Sequence, residues 1–343
     1  MKALVLQEYK KFAIEDLPEP TLQPGEVLVR VRACGICGSD VHGMDGSTGR
    51  RIPPLVMGHE AAGVIAAVGP GVTAWKPGDR VTFDSTVYCG ECWYCKRGEV
   101  NLCENRQVLG VSCGDYRRQG AFAEFVAVPQ RILYRLPDNL TFDQAAMVEA
   151  VSVAIHALER TPLPPQATAI VVGTGMIGLL VVQALRVAGC AQIIAVDLDE
   201  GRLQVARRLG ATHAFKADAL DLAARVKEMT HGRGADAAFE VVGLSAPLKT
   251  AIDCVRKGGS ITLVGNLKAQ VDLPLQAVVT RQLTLIGTCA SAGEYPKCLE
   301  LIANGQINVT EFISATPPLA EGAQWFSRLY SGEKGLMKVL LQP

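Results

Sequence analysis

Cys37, His59 and Glu60 stand on two glycine-flanked stretches, Gly35-Ile36-Cys37-Gly38-Ser39-Asp40-Val41-His42 and Gly58-His59-Glu60. A catalytic zinc takes three ligands drawn from thiolate, imidazole and carboxylate and keeps a further position open. These residues supply one of each, and the glycines let the backbone turn tightly around an ion. Glu60 is either a direct ligand or an acceptor one layer out. Asp40 is expected to orient the His59 ring or its own loop. Cys34 has no charged neighbour in the chain and is expected in the core.

A second group is Cys89, Cys92, Cys95 and Cys103, spaced C-x2-C-x2-C-x7-C in a polar loop with Gly90, Gly98 and Asn101. Four thiolates so spaced describe a closed tetrahedral zinc site. The common ferredoxin run has three residues before its last cysteine and a proline after it. Here seven intervene and Glu104 follows. With no open position, this metal is expected to be structural and to hold a lobe too poor in apolar residues to fold unaided.

The third group surrounds a run of glycines. Ala169 to Val172 breaks into Gly173-x-Gly175-x-x-Gly178, and helix-like spacing follows to Gly189. A second apolar run, Gln192 to Val196, ends at Asp197, nineteen positions after Gly178. This is the dinucleotide-binding fingerprint in strand–turn–helix–strand context. Phosphates would sit on the free amides where the helix starts, around Gly175, Met176, Ile177 and Gly178. Asp197 would accept from the ribose hydroxyls and repel a 2′-phosphate. With Leu198 rather than a basic residue directly after it, NAD is favoured over NADP.

The elements that must position these groups follow from periodicity. Lys2–Gln7, Phe12–Ile14, Val27–Arg32, Val64–Val68 and Arg80–Phe83 read as strands between Pro- and Gly-rich turns, a partly open β-barrel with function on its loops. From residue 153, strand and helix patterns alternate. Strands are expected at 168–173, 192–197, 213–216, 236–241, 260–264 and 283–287, with helices such as Arg202–Leu209 and Leu222–Met229 between them. The fold class is therefore α/β: a β-barrel catalytic domain at 1–152 and a doubly wound parallel sheet, a Rossmann cofactor domain, at 153–287. The segment 288–343 carries a helix-like run, Lys297–Ile302, and a last strand, Gly335–Leu341.

A length of 343 residues accommodates two cores, and 49% hydrophobic content excludes disorder. Thirty-four basic residues balance 34 acidic ones, which argues against a nucleic-acid or anionic-membrane partner. The apolar stretch 169–189 is interrupted by glycines and reads as buried strand plus helix rather than a membrane span. The N-terminus has too short an apolar core for a secretory signal, so the eleven cysteines are expected in a reducing cytoplasm. Cys113, Cys190, Cys254, Cys289 and Cys298 show no ligand spacing. Arg50-Arg51 and Arg117-Arg118 are expected on a solvated surface. Leu283–Gly287, an apolar edge strand, predicts pairing with a second copy in a homodimer or homotetramer.

Gly58-His59-Glu60-Ala61-Ala62-Gly63, running on to Gly69 and Val72, resembles the zinc signature of the medium-chain alcohol dehydrogenases. The four-cysteine lobe and the glycine fingerprint stand in that family's order, so the resemblance spans the chain. It implies a GroES-like barrel completed by 288–343. Classical alcohol dehydrogenases carry a cysteine ligand near Met147–His156; Glu149 stands there instead, similar to the sorbitol, galactitol-phosphate and threonine dehydrogenase branch. In that branch the matching glutamate reaches the metal or the water on it. The resemblance also implies that Ser39 and His42 form a proton relay, against the plainer reading of a loop-stabilising pair. Arg202 would pack on the adenine, and Val264, Gly265 and Thr288 would line the nicotinamide half. The implied reaction is reversible oxidation of a secondary, polyol-type alcohol to a ketone, with two zinc ions per chain and hydride transfer to NAD. A sugar-alcohol phosphate, a small diol or L-threonine are the alternative substrates, and a non-catalytic zinc-stabilised NAD-binding protein is the alternative of another class.

Overall fold

The structure, a computed structural model, describes residues 1–112 and 117–343; Cys113 lies outside the described residues. The chain forms two compact units. One comprises Met1–Glu149, Ala292–Asn304 and Val309–Pro343, and the other Ala150–Ser291 with Gly305–Asn308. The division falls inside the helix Val148–Arg160, between Glu149 and Ala150.

The first unit is built on the strand Glu26–Gly35. Glu60–Val68 lies on one side of it and Lys338–Leu341 on the other, both antiparallel, and Phe125–Pro129 pairs with its first half. Register shifts at Leu28/Val29 and Val31/Ala33 mark bulges, which increase twist and curl a sheet toward a barrel. Leu4, Leu6, Val29, Ile65, Phe83, Phe122 and Phe326 are among the side chains that fill its core.

The strand Glu60–Val68 starts four residues before the expected Val64, and Glu26–Gly35 runs three residues past Arg32. The extensions pair Cys34 with Ala61 and Gly35 with Glu60. Small residues there give little β-branched signal, yet they let the backbones approach. A methyl group on Gly35 would collide with Glu60 Oε2. That collision is the reason a glycine stands opposite a buried carboxylate.

Among the described residues of the second unit, parallel strands run in the order His213–Lys216, Gln192–Asp197, Thr168–Val172, Ala235–Glu240, Val255–Leu263, Thr284–Gly287. The order reverses beside Thr168–Val172, the switch point where open α/β sheets bind ligands at the carboxyl ends of their strands. Apolar runs buried on both sides explain the strands: Ile170, Ile194, Val196, Ala238 and Ile261 are fully buried. Val255–Leu263 begins earlier than the expected 260, through Arg256-Lys257-Gly258-Gly259, a stretch that reads locally as a turn. Among the described residues no helix is long and apolar enough to cross a membrane.

Candidate metal centre and dinucleotide site

Cys37 is the N-cap of a short helix, Gly38–Gly43. Its Sγ accepts from the Ser39 amide at 3.4 Å, and its own amide donates to Asp40 Oδ2 at 3.2 Å. His59 and Glu60 enter at the start of the strand Glu60–Val68, directly after Gly58 with φ +96°. One donor atom from each of Cys37, His59 and Glu60 lies within 4.8 Å of the other two. His59 is 6% and Glu60 1% exposed, and Glu60 Oε1 is buried without a hydrogen-bond partner. A buried acceptor with an unfilled lone pair, beside a thiol and an imidazole, fits a zinc ion.

The surroundings of the trio are charged and buried. Asp40 is fully buried, with Oδ1 3.4 Å from His59 Nδ1 and 2.8 Å from Arg51 Nη2. Burial works against its charge, yet His59 and Arg51 hold its carboxyl well below the usual range. For His59 burial disfavours the cation, and the Asp40 carboxylate with the Cys37 thiol outweighs it, so its pKa is raised. Nδ1 faces Asp40 without a hydrogen bond, so the carboxylate stands where it could orient the ring for a metal on the other nitrogen. Arg51 contradicts the expected solvated surface: it is 3% exposed, and its Nη2 also donates to Ser39 Oγ at 3.2 Å. The fold buries it because Asp40, eleven residues away, is buried opposite it. Ser39 and His42 are exposed and one turn apart on the Gly38–Gly43 helix.

Lys338 is the residue sequence reasoning missed. It is 1% exposed in the last strand and donates to Glu60 Oε2 at 2.5 Å and to the Ile36 carbonyl at 3.2 Å. Burial opposes its charge and Glu60 restores it. The signal that could have exposed it is a lone lysine inside Met337-Lys338-Val339-Leu340-Leu341, where charge is costly unless paired. Glu149, half-buried by its accessible surface, lies outside the 4.8 Å trio. Burial and then the Glu60 charge push it up to about 7.

In the cysteine lobe, one sulfur each from Cys89, Cys92, Cys95 and Cys103 lies within 4.8 Å of the rest. The Cys92 amide donates to Cys89 Sγ at 3.4 Å and the Cys89 amide to Cys103 Sγ at 3.2 Å. Amides of Glu91 and Cys92 pull the Cys89 thiol down to about 6. Four thiolates at this spacing repel one another unless a cation sits among them, which fits a closed zinc site. Cys34 is buried and packs in the core.

The glycine run of the second unit turns at Gly173, φ +96°, where a side chain would collide with Val242. A side chain at Gly178 would strike the Gly173 carbonyl, while the space beside Gly175 is open. Gly175 is the N-cap of the helix Met176–Val187 and offers no side-chain cap, which leaves the first amides for an anion. Asp197 Oδ2 accepts from the Thr174 amide at 2.6 Å and its hydroxyl at 3.1 Å; Oδ1 accepts from the Asp199 amide at 3.0 Å. Each oxygen keeps acceptor capacity for a ribose hydroxyl. Arg202 Nη1 lies 3.9 Å from Oδ2. Gly173, Asp197, Leu198, Arg202 and Val242 help to line a cavity of 640 Å³. Val264 and Gly265 both donate to the Glu240 carbonyl at 2.9 Å, and the Thr288 hydroxyl is buried without a partner.

Comparison with known proteins gives two family matches along the chain. The family description "Alcohol dehydrogenase GroES-like domain" matches residues 23–138, and "Zinc-binding dehydrogenase" matches 177–304. Sorbitol dehydrogenase of Bacillus subtilis is 36% identical over 348 residues, covering 100% of this chain and 97% of that protein. The chain belongs to the zinc-dependent medium-chain alcohol dehydrogenases. A probable D-xylulose reductase A of Neosartorya fischeri is 35% identical, covering 98% of this chain and 96% of its own. The solved alcohol dehydrogenase TADH from Thermus sp. ATN1 is 33% identical, covers 100% of this chain and 99% of its own, and superposes with a TM-score of 0.93.

As a medium-chain alcohol dehydrogenase the chain is an oxidoreductase of small-molecule alcohols that uses zinc and a nicotinamide dinucleotide. Cys37, His59, Glu60 and the four lobe cysteines fall inside the first matched range, and Asp197 and Arg202 inside the second. Glu149 and Lys338 fall outside both.

Proposed function

We propose that this dehydrogenase oxidises a polyol-type secondary alcohol to the ketone, reversibly, with NAD as the hydride acceptor and two zinc ions per chain. The observation that carries the reading is the trio Cys37, His59 and Glu60, gathered within 4.8 Å, with Glu60 Oε1 unpartnered. Bound zinc supplies the Lewis acidity that makes an alcohol proton acidic at neutral pH, and the nicotinamide supplies the hydride acceptor. Cys37, His59 and Glu60 hold the ion. Asp40 orients the imidazole, and Arg51 holds Asp40 and Ser39 in place. Ser39 and His42 carry the released proton toward solvent. Glu149, close to neutral-pH titration, holds or yields a proton beside the metal. Gly175, Met176, Ile177 and Gly178 receive the pyrophosphate, Asp197 the ribose and Arg202 the adenine. Val264, Gly265 and Thr288 face the nicotinamide half. The Asp197 carboxylate supports NAD over NADP.

The sorbitol dehydrogenase and xylulose reductase relatives support the polyol substrate class. A sugar-alcohol phosphate is disfavoured by the arginine pairs, because Arg51 is engaged by Asp40 and Arg118 by Glu26. Small diols and L-threonine remain arms of the substrate screen. The closed cysteine lobe supports a structural second zinc and cytoplasmic, reducing surroundings. The strand Thr284–Gly287 ends its sheet, and Leu275 and Val279 nearby are 62% and 68% exposed, which supports pairing with a second copy in a homodimer or homotetramer. Sedimentation showing monomer alone would remove that part.

The test is Cys37→Ser. It should abolish NAD reduction across polyols, diols and threonine and lower zinc from two per chain to one, with NAD binding unchanged. Full retained turnover would defeat the assignment, and one zinc per parent chain would favour the non-catalytic reading.

A further inference from the structure

We propose that the cofactor unit carries a second anion site, at the amino ends of its parallel strands, for a small molecule bearing two phosphoryl groups. A cavity of 730 Å³ opens there, within the 300–1,000 Å³ range of small-molecule sites. Lys227, Arg233, Arg256, Lys257 and Arg281 line it, with Asp236 as the carboxylate among them. Five cations against one carboxylate concentrate positive charge in a chain whose total is zero.

Local bonding accounts for part of this charge. Arg256 Nε donates to Asp236 Oδ1 at 2.7 Å, and the other Asp236 oxygen accepts from the Thr168 amide at 2.9 Å. Arg281 donates to the carbonyls of Ile252 and Val255, where it complements the carboxyl end of the helix Ser245–Cys254. Arg233 uses Nε on the Thr230 carbonyl at 3.3 Å, which leaves its terminal nitrogens free to point elsewhere. Lys227 and Lys257 donate to nothing among the described residues, and both are exposed. Lys227 stands in the last turn of the helix Leu222–Met229 and Arg233 Nε reaches the carbonyl of its C-cap Thr230, whereas Lys257 lies on a strand, where no helix end accounts for its charge.

The chemistry that matches is phosphate. Two phosphoryl groups carry about −3 to −4 at neutral pH, close to the excess of the cavity wall. Guanidinium forks and lysine ammoniums are the side chains that bind such oxygens. A nucleic acid would want a basic stripe along a face, whereas this charge is gathered in a hollow. The site is distinct from the dinucleotide groove. Thr168, Ala235 and Val255 begin their strands here, while Val172, Gly173, Asp197 and Val242 lie at the opposite ends. Strands of this length hold the two cavities about 17–20 Å apart. The proposal goes beyond the dehydrogenase reading and does not rest on it.

Isothermal titration of the zinc-loaded full chain with inorganic pyrophosphate, at low salt and with saturating NAD present, tests the site. One saturable event per chain is expected. Lys227→Ala/Lys257→Ala should weaken it by on the order of a hundredfold, and Lys257→Gln alone by about tenfold. Arg117→Ala, an exposed cation of the other unit, should leave it unchanged. Absence of saturation, loss of binding when NAD is added, undiminished binding by the double variant, or tighter binding of a short oligonucleotide would each overturn the proposal.

Discussion

Lys338→Met probes the buried pair beside the proposed metal donors. Methionine keeps the length and apolar contacts of the lysine stem and removes the charge. In the native protein Nζ lies 2.5 Å from Glu60 Oε2, with both side chains 1% exposed. Breaking one side of such a pair costs about 3–5 kcal/mol, because the charge left behind has no compensation. In a domain of this size each kcal/mol moves the midpoint about 2–4 °C. The metal-free variant should therefore unfold on the order of 10 °C below the metal-free parent. Zinc alters the comparison: an ion on Cys37, His59 and Glu60 gives Glu60 another cation, so the loss should shrink in zinc-loaded protein. Trp75, Trp93 and Trp325 all belong to the first unit, so tryptophan fluorescence during heating follows that unit. Glu60→Gln/Lys338→Met should recover most of the loss, since neither partner is then left charged. Equal metal-free midpoints for variant and parent, or a double variant no more stable than the single, would refute the reasoning.

Other outcomes follow from the same geometry. Cys95→Ser should release one zinc per chain and lower soluble yield and the fluorescence midpoint; unchanged zinc content would remove the structural-site assignment. Asp197→Ala should reduce the preference for NAD over NADP about tenfold or more, measured as the ratio of kcat/KM values; a constant ratio would show the ribose argument wrong. Glu149 is raised from 4.5 to about 7, mainly by burial, so the folded state retains a proton that the unfolded chain releases. Its contribution is present at pH below 4.5 and is lost as pH rises to about 7, on a scale of about 3 kcal/mol. Metal-free Glu149→Gln should flatten that decline in denaturation experiments; an identical slope would count against the burial argument.

The parts of this protein that were legible in its sequence are those set by short spacing along the chain. The four lobe cysteines lie within fifteen positions, and the fingerprint glycines within six. Side chains that close are brought together by one turn or one helix start, whatever the rest of the chain does. The strand Arg80–Phe83 and the helix Leu222–Met229 were equally plain, because apolar periodicity and flanking turns define them locally. The early start of the strand at Glu60 was hidden, since glycine and alanine carry no β-branched signal.

Sequence alone determined the donor types, the cysteine cluster, the dinucleotide fingerprint and the order of the two folding units. Tertiary structure alone decided which charges face one another. Lys338 meets Glu60 across 278 positions, because the last strand and Glu60–Val68 both border Gly35. Arg51 turns inward to Asp40, and cations from Lys227 to Arg281 converge on one hollow. Covalent spacing limits reach between near neighbours, whereas burial and sheet register select partners between distant ones, and local sequence carries no record of that selection.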